Sequence, residues 1–352
     1  MKKNVHGGDI YSHRNVTDYS ANCNPFGVPE GVRKAICASA GAVSCYPDVH
    51  CTELRRKLAE ELKVPGEKIF FGNGAAEVIF AIAQALGPKK ALVPAPSFAE
   101  YAQALETAGC EIHRYFTEEA DDFRITEKIN ERITDDVDMM FLCNPNNPTG
   151  TFLAEEELRV ILDHAREKGV RVVLDECFMS FIDERKKYTW LTHLQDYPNV
   201  IVISAFTKLY AMAGVRLGYG ITWDDEVIAR LEDFVQPWNV SVVAQSAGIA
   251  ALDEKEYVKH SLEEIRKERD FFLSALKEEG LRVYDSEANY IFFRGEPELY
   301  DRLLEKGYLI RDCSNYPGLG KGYFRVAVRL HEDNVGFLKA LKEVRGETWP
   351  RY

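Results

Sequence analysis

Lys208 and Arg216 are the pair of side chains in this sequence that could most directly do chemistry. Lys208 ends the segment 204–208 (SAFTK), which follows an apolar run, and Arg216 comes eight residues later within 213–219 (AGVRLGY). A lysine amine can form an imine with a carbonyl compound, and a nearby guanidinium can clamp a phosphate with its planar fork. A lone lysine after a strand is more commonly a solvated surface group, so this interpretation needs support from other segments.

A carboxylate stands at the end of another apolar run. Residues 172–175 (VVLD) end in Asp175, and α/β sheets place their sites at the carboxyl ends of their strands. An anion there could keep a heterocyclic nitrogen protonated, and the heterocycle would then accept electrons from a bond that breaks. Taken alone, Asp175 is more commonly a turn residue or a helix cap.

Two further loops are typical of ligand contacts. Residues 144–150 (NPNNPTG) follow an apolar strand, and their prolines fix a rigid turn that can aim an amide at a ligand oxygen. Residues 72–76 (GNGAA) begin a helix directly after a strand, so free backbone N–H groups and the positive helix end offer a seat for a phosphate. A single G-x-G is weak by itself, and it gains weight here from the lysine, arginine and aspartate that follow.

Strands and helices must alternate to position these groups. Helices are predicted at 53–62 and from 72 to about 85, with a short strand at 68–71 between them. Further strands are predicted at 90–93, 111–115, 139–143, 171–175 and 200–204, and helices at 98–108, 126–132, 154–168 and near 190–195. Strands separated by helix-length crossovers indicate an α/β fold with a mostly parallel sheet and helices on both faces.

The C-terminal third has a different makeup. A long helical region follows Ser241 and reaches about residue 279, with a break near 253–254. Beyond it come predicted strands at 281–284, 289–294 and 322–328 and a last helix at 333–344. This pattern predicts a smaller α+β domain, so the expected organisation is an N-terminal arm (1–30), a large domain (31–245) and a small C-terminal domain (246–352).

Composition excludes several classes of protein. The 352 residues carry a formal net charge of −12 without a long basic run, which disfavours nucleic-acid binding. No secretory signal and no apolar window of membrane-spanning length stands out, so the default expectation is a cytoplasmic protein that does not bind membranes. The eight cysteines lack C-x-x-C pairs and metal-like spacing with histidine, so neither disulfides nor a metal site is expected.

These motifs together resemble the fold-type I enzymes that depend on pyridoxal 5′-phosphate (PLP), the aminotransferase class I/II superfamily. The resemblance rests on the N-P-x-N-P-T-G loop, D-E-x-F at 175–178, Lys208 and R-L-G-Y at 216–219, and it spans nearly the whole chain. It implies a PLP-dependent transferase-like fold and a homodimer with active sites at the subunit interface. It further implies that Lys208 carries PLP as a Schiff base and that Asp175 pairs with the pyridine nitrogen.

The resemblance implies roles for the other matching residues. Asn147 would bond the 3′-oxygen of the ring, Phe98 would stack on the ring, and Tyr46 would reach the phosphate of the neighbouring subunit's cofactor. The cofactor phosphate would be held by residues of the helix start and of the lysine and arginine segments: Gly74, Ala75, Ala76, Thr207 and Arg216.

Two positions depart from the pattern of many aminotransferases. Phe178 stands where a tyrosine would bond the 3′-oxygen, so that hydrogen bond is absent. Ala205 stands where a phosphate-binding serine is often found, and the hydroxyl that compensates is either that of Ser204 or that of Thr207.

Within this superfamily, several segments resemble the threonine-phosphate decarboxylases of cobalamin biosynthesis more than their sister group, the histidinol-phosphate aminotransferases. The segments are 6–11 (HGGDIY), 19–27, 96–101 (PSFAEY) and 309–319 (LIRDCSNYPGL), and Phe178 agrees with the decarboxylases. The resemblance implies conversion of L-threonine O-3-phosphate to (R)-1-amino-2-propanol O-2-phosphate. Amino transfer from histidinol phosphate or another amino acid to 2-oxoglutarate is the alternative.

A substrate with both a carboxylate and a phosphate needs two anion sites, and arginine forks suit both. Arg325 matches the superfamily's carboxylate-binding arginine, and Arg311 with His6 and Asn22 of the arm is the candidate for the substrate phosphate. His6 could instead be a disordered tail residue, and Arg329 is interpreted as a surface or supporting charge. The bond that stands perpendicular to the conjugated ring decides between decarboxylation and transamination, and the sequence leaves that choice open. A regulatory PLP-binding module without turnover is disfavoured, because no helix-turn-helix segment precedes the PLP region.

Overall fold

The computed structural model describes residues 6–182 and 188–346. Its strands belong to three sheets. In chain order the strands are β1 (Thr17–Asp18), β2 (Ile69–Gly72), β3 (Lys90–Ala95), β4 (Glu111–Phe116), β5 (Met139–Cys143), β6 (Arg171–Asp175), β7 (Val200–Ala205), β8 (Gly218–Ile221), β9 (Arg282–Val283), β10 (Tyr290–Arg294), β11 (Tyr308–Leu309), β12 (Arg311–Asp312) and β13 (Tyr323–Ala327).

Eleven α-helices are described within the same residues, among shorter 3₁₀ turns. They are α1 (Glu30–Ser39), α2 (Thr52–Leu62), α3 (Gly74–Leu86), α4 (Ala99–Thr107), α5 (Glu155–Glu167), α6 (Phe206–Leu209), α7 (Asp225–Phe234), α8 (Val242–Ala251), α9 (Lys255–Glu278), α10 (Leu299–Glu305) and α11 (His331–Gly346).

The large sheet has seven strands in the order β2-β8-β7-β6-β5-β3-β4. Strands β4, β3, β5, β6 and β7 run parallel, whereas β8 is antiparallel to both of its neighbours. In register, Cys143 pairs with Asp175, and Asp175 pairs with Ile203. The loops that follow β5, β6 and β7 therefore emerge at one edge of the sheet, where parallel α/β sheets carry their sites.

Both faces of the large sheet are buried, because successive side chains of the central strands pack alternately into two hydrophobic clusters. Phe141 and Val173 pack into a cluster that includes α3 and α4, whereas Leu142 and Leu174 pack into a second cluster that includes α5. A sheet covered on both faces explains why its central strands are continuously apolar. The sheet is thus a rigid platform for the groups at its carboxyl edge.

The C-terminal region forms a four-stranded antiparallel sheet in the order β12-β13-β10-β9. Its core joins the cluster under α9 and α11 through residues such as Phe272, Phe293 and Phe337. The arm is tied to this region, since β1 pairs in parallel with β11, Thr17 opposite Tyr308. The predicted division at residues 30 and 245 stays a prediction.

The α/β fold with a mainly parallel sheet is confirmed, and most predicted strands lie within two residues of the observed bounds. Two of the predicted helices, at 126–132 and near 190–195, are present as 3₁₀ helices. Residues 127–132 and 190–196 adopt this form because each is a short connection held by i to i+3 hydrogen bonds. Strand β8 and the two-residue strands β1, β11 and β12 were not predicted.

All eight cysteines are free thiols. Across residues 6–182 and 188–346, none of the helices combines the length and apolar character needed to cross a bilayer.

Candidate active site

A cavity opens at the carboxyl edge of the large sheet, between that sheet, the small sheet and the N-terminal arm. Thirteen of the residues singled out in the sequence line it together: His6, Asn22, Ala75, Ala76, Phe98, Asn147, Asp175, Phe178, Thr207, Lys208, Arg216, Arg311 and Arg325. These residues come from segments more than three hundred positions apart, so the fold assembles one site from motifs that were separate in the sequence.

Lys208 lies on the short helix α6, which starts where β7 ends. The arm fixes this turn, because the backbone N–H of Asn24 donates to the Lys208 carbonyl (2.9 Å) and its side-chain Nδ2 donates to the Leu209 carbonyl (2.9 Å). The same Nδ2 also donates to Ser261 Oγ at 2.9 Å, which couples the turn to α9. The Lys208 ammonium is half-buried, with its Nζ 5.9 Å from the centre of the Phe178 ring.

Asp175 is a buried carboxylate at the last position of β6. One oxygen accepts a hydrogen bond from the Tyr101 hydroxyl (2.6 Å) and the other accepts from the backbone N–H of Cys177 (2.8 Å). Burial raises the pKa of Asp175, while these two hydrogen bonds and the charge of Lys208 oppose the increase. Among the described residues no cationic side chain pairs with Asp175, so the carboxylate is suited to a cationic N–H of a ligand.

The loop after β5 holds Asn147 in place. Asn146 Nδ2 donates to the Pro96 carbonyl (3.1 Å), and the Tyr290 hydroxyl donates to the Asn146 carbonyl (2.7 Å). Asn147 Oδ1 accepts a hydrogen bond from Arg325 Nη1. Because that oxygen is occupied, the amide is oriented with its N–H₂ group available to an acceptor in the cavity.

Arg216 lies against the start of α3, where backbone N–H groups point outward. Gly74 has φ +79°, and a β-carbon on it would collide with the Arg216 guanidinium. A β-carbon on Gly218 would likewise collide with the backbone of Ala75. Glycine at both positions therefore allows a guanidinium and a helix N-terminus to approach the same point, which is the arrangement that binds a phosphate.

Two aromatic rings bound the cavity. Phe98 precedes α4 and packs edge-on against Tyr101, with ring centroids 5.6 Å apart. Phe178 is buried and packs edge-on against Tyr290 at 4.9 Å. Both rings lack a polar atom, so they offer apolar surfaces for a flat ligand between the polar groups.

Arg311 and Arg325 are paired across strands β12 and β13. Residues directly opposite each other in an antiparallel pair present their side chains on the same face, and both guanidinium groups are buried while lining the cavity. Arg325 Nη2 donates to the Ser20 carbonyl (2.7 Å), and Arg311 Nη2 donates to Asn315 Oδ1 (2.9 Å). The buried Nε of Arg325 has no hydrogen-bond partner among the described residues.

Four of the residues discussed in the sequence lie outside the lining. Gly74 lies beneath the Arg216 guanidinium, and Ser204 is buried in β7, whereas Ala205 and Thr207 line the cavity. Tyr46 is exposed and stacks on Trp238, with ring centroids 4.4 Å apart. Arg329 bonds Asp333 Oδ2 (2.9 Å) and the Asp18 carbonyl (3.1 Å), a supporting position that ties the arm to α11.

Glu100 and Tyr101 are among the lining residues that the sequence interpretation missed. Both line the cavity from the first turn of α4, the position at which a parallel strand delivers its site residues. The available signal was their place directly after β3, next to Phe98. The contact between Tyr101 and Asp175 spans 74 positions, and no local pattern indicates it.

A lysine, a buried aspartate and an arginine cradle at the carboxyl edge of such a sheet define a class of PLP-dependent enzyme. The chain belongs to the aminotransferase class I and II family, which matches residues 14–339. It is 38% identical to the threonine-phosphate decarboxylase of Salmonella typhimurium, over 97% of this chain and 96% of that protein. It is therefore a PLP-dependent enzyme, either a decarboxylase or an aminotransferase.

Solved structures of both kinds of enzyme share the fold. The histidinol-phosphate aminotransferase from Clostridium acetobutylicum superposes with a TM-score of 0.88 at 33% identity, covering 94% of this chain and 99% of that one. The L-threonine-O-3-phosphate decarboxylase from Porphyromonas gingivalis superposes with a TM-score of 0.82 at 26% identity, covering 93% and 98%. The fold alone does not separate the two activities.

Proposed function

We propose that this chain decarboxylates L-threonine O-3-phosphate to (R)-1-amino-2-propanol O-2-phosphate, a reaction of cobalamin biosynthesis. The observation that carries the proposal is the buried arginine pair in the cavity, Arg311 and Arg325, which offers two forks to two anions. The likeness to decarboxylases from two other organisms supports the choice.

The cavity is basic although the chain is acidic. Among the described lining residues, four bases face two carboxylates: Lys208, Arg216, Arg311 and Arg325 against Asp175 and Glu100, whereas the chain carries a net charge of −12. A cleft of one charge sign concentrates ligands of the opposite sign. Arg216 lies against the start of α3, where the cofactor phosphate would bind, so Arg311 and Arg325 remain for the carboxylate and the phosphate of the substrate.

PLP fits the residues present. Asp175 would hold the proton on the pyridine nitrogen, Asn147 would donate to the ring oxygen, and Arg216, Thr207 and the start of α3 would hold the phosphate. When bound, PLP supplies a sink for the electrons left at the substrate α-carbon after a bond breaks. By donating a hydrogen bond, Tyr101 favours the anionic form of Asp175 and opposes the increase in pKa that burial causes.

The two arginines would decide which bond breaks. Arg325 would bind the substrate carboxylate, and Arg311 with His6 and Asn22 would bind the phosphate. The buried Nε of Arg325 has no partner among the described residues and can donate to an oxygen of the ligand. The buried Oδ1 of Asn22, also without a partner there, can accept only from an O–H or N–H of the ligand. A phosphate anchored at Arg311 orients the carboxylate for loss as carbon dioxide, and Lys208 or water then returns a proton to the α-carbon.

Amino transfer remains the alternative, since the Clostridium aminotransferase shares the fold over nearly its full length. It would follow if the carboxylate lay in the plane of the ring and Lys208 moved the α-proton instead. Purified PLP-loaded protein should release carbon dioxide from L-threonine O-3-phosphate without any 2-oxo acid. A strict requirement for 2-oxoglutarate would overturn the decarboxylase proposal and leave the aminotransferase.

The attachment of the cofactor has its own test. Borohydride reduction followed by peptide mapping should label Lys208, and Lys208→Ala should lose the label together with activity. Label on another side chain, or on none, would contradict the role of Lys208.

A further inference from the structure

Glu100 is a carboxylate in an unexpected place. It lies in the first turn of α4 and lines the cavity that also contains Arg311 and Lys208. Its Oε1 lies 3.2 Å from His6 Nδ1 of the arm. Its Oε2 is buried and has no hydrogen-bond partner among the described residues.

The charged and titratable groups around Glu100 come from several elements. His6 approaches from the arm, Lys208 from α6, Arg311 from β12 and the Tyr316 hydroxyl from the loop after it. Burial raises the pKa of Glu100, and His6, a hydrogen bond from the residue's own backbone N–H, Arg311 and Lys208 oppose that increase. The carboxylate therefore shares its space with the groups that the proposed function uses to bind the substrate phosphate.

A carboxylate beside a phosphate site poses an electrostatic problem. Two anions in a buried space repel each other unless a proton lies between them. An orphaned acceptor such as Glu100 Oε2 requires a donor, and a singly ionised phosphate monoester carries one O–H group. A sulfate carries none at neutral pH, so the same position would repel it.

We propose that Glu100 is a specificity-determining residue that accepts a hydrogen bond from the protonated oxygen of the substrate phosphate, so that the site binds the singly ionised ester and rejects sulfate. The inference rests on the proposed function only in placing a phosphate beside Arg311. Glu100 then selects among tetrahedral anions, while Arg311 and His6 supply the attraction. No covalent step is involved.

The first test uses inorganic phosphate and sulfate on the PLP-loaded protein, with dissociation constants from isothermal titration calorimetry at pH 7.5. Inorganic phosphate keeps an O–H at this pH, so the native protein should prefer it to sulfate by about tenfold or more, the effect of one charge-assisted hydrogen bond. Glu100→Gln should reduce the preference to about twofold, mainly by tighter sulfate binding. Retained cofactor absorbance would show that the variant is folded.

Glu106→Gln is the matched control. Glu106 is an exposed carboxylate on the same helix, outside the cavity lining. The substitution removes the same charge from α4 and should leave the phosphate preference unchanged. An equal change in both variants would mean that general charge, not contact at Glu100, decides the preference.

The second test uses methyl phosphate, whose last proton dissociates at a pH of about 6. If Glu100 requires that proton, affinity for the native protein should fall by up to about tenfold per pH unit above that value. The amide introduced by Glu100→Gln can donate to the doubly ionised ester, so this fall should be smaller in the variant. Because His6 Nδ1 lies 3.2 Å from Glu100 Oε1, the comparison is repeated in a His6→Asn background, where the difference between the native residue and Glu100→Gln should remain.

The outcomes separate this inference from the proposed function. The role of Glu100 would be overturned if the native protein bound phosphate and sulfate equally, or if Glu100→Gln kept the native preference. Either result would count against Glu100 even if carbon dioxide is released. A clear preference that depends on Glu100, in a protein that only transaminates, would uphold this inference and overturn the decarboxylase proposal.

Discussion

Asp175 illustrates how a buried charge is maintained for use. Burial alone would favour the neutral acid, and a neutral acid could not hold a proton on a pyridine nitrogen. The Tyr101 hydroxyl and the Cys177 N–H offset that tendency by donating to both carboxylate oxygens. Tyr101 is therefore a positioning residue that acts through Asp175.

Tyr101→Phe should shift the pH dependence of activity. Without the hydroxyl, the pKa of Asp175 rises further, so the carboxylate is neutralised at a higher pH and activity is lost earlier as pH falls. Near neutral pH we expect a decrease of roughly tenfold, the effect of one hydrogen bond to a charged group. The pH profile of kcat and the visible absorbance of the cofactor would measure both effects.

Tyr115→Phe is the control, because Tyr115 lies on β4 outside the cavity lining. It should leave the acid limb of the profile in place. An unchanged acid limb in Tyr101→Phe would contradict the role given to its hydroxyl.

Arg325 and Arg329 are two residues of similar type with different expected roles. Arg325 contacts Asn147 and Ser20 inside the cavity, whereas Arg329 bonds Asp333 and the Asp18 carbonyl away from it. Arg325→Lys replaces a planar fork by a single ammonium and should reduce kcat/KM by roughly a hundredfold or more.

Arg329→Lys should lower the melting temperature while kcat changes by less than about threefold, because only supporting contacts are lost. Steady-state kinetics and thermal melts on both variants test the pair. Comparable kinetic losses in the two variants would contradict the placement of Arg329 outside the substrate site.

The arm closes the cavity because its glycines allow close packing. A β-carbon on Gly7 would collide with the Ser20 carbonyl, and the Gly8 N–H donates to Ser20 Oγ at 2.7 Å. Ser20 Oγ in turn donates to Asp18 Oδ1 at 2.6 Å. The arm segment that places His6 beside Glu100 therefore requires glycine at position 7.

Gly7→Ala should displace the arm and weaken substrate binding. We expect KM for the phosphorylated substrate to rise by roughly tenfold, as contacts from the arm are lost, with a smaller change in kcat. Gly41→Ala is the control, because a β-carbon there meets no neighbour. A normal KM in Gly7→Ala would mean that the arm does not contribute to the substrate site.

The sequence predicted long elements better than short ones. The strand 139–143 and the strand 171–175 were predicted with the observed bounds, because continuous burial on both faces leaves a clear apolar signal. Strand β8 contains two glycines in four residues, so its local preference for a strand is weak. Its pairing with β2 and β7 is fixed by tertiary contacts that no local pattern contains.

The same distinction applies to the site. Lys208, Asp175 and the Asn147 loop follow apolar strands and carry recognisable motifs. The sequence therefore predicted that they line one site, as they do. Tyr101 and Glu100 can be recognised as site residues only from their contacts with Asp175 and His6 across the cavity. Such contacts depend on how two distant segments meet, which the sequence does not encode locally.

The exposed aromatic stack of Tyr46 on Trp238 bears on assembly. Tyr46 does not line the cavity of its own chain. In the homodimer that the family resemblance implies, it would reach the phosphate of the other chain's cofactor. A protein of 40.0 kDa per chain should then have twice that mass in light scattering. Each active site would contain parts of two chains.

Hybrid dimers test this arrangement. Lys208→Ala and Tyr46→Ala should each be impaired alone, because every site in either homodimer lacks one group. Mixing the unfolded variants and refolding them together should restore about a quarter of native activity, since about half the dimers are hybrids with one intact site each. Absence of any recovery, with hybrid dimers present, would contradict a shared site.

The pairing of β1 with β11 affects how the polypeptide can fold while it is being synthesised. Thr17 leaves the ribosome early, yet its partner Tyr308 is about 290 residues further along the chain. At 5–20 residues per second, the arm waits for roughly 15 to 60 s before its neighbour has been synthesised. A nascent chain halted before the last strands could form much of the large sheet. The N-terminal arm would then have no β11 to pair with, and the cavity around Lys208 would stay open on that side.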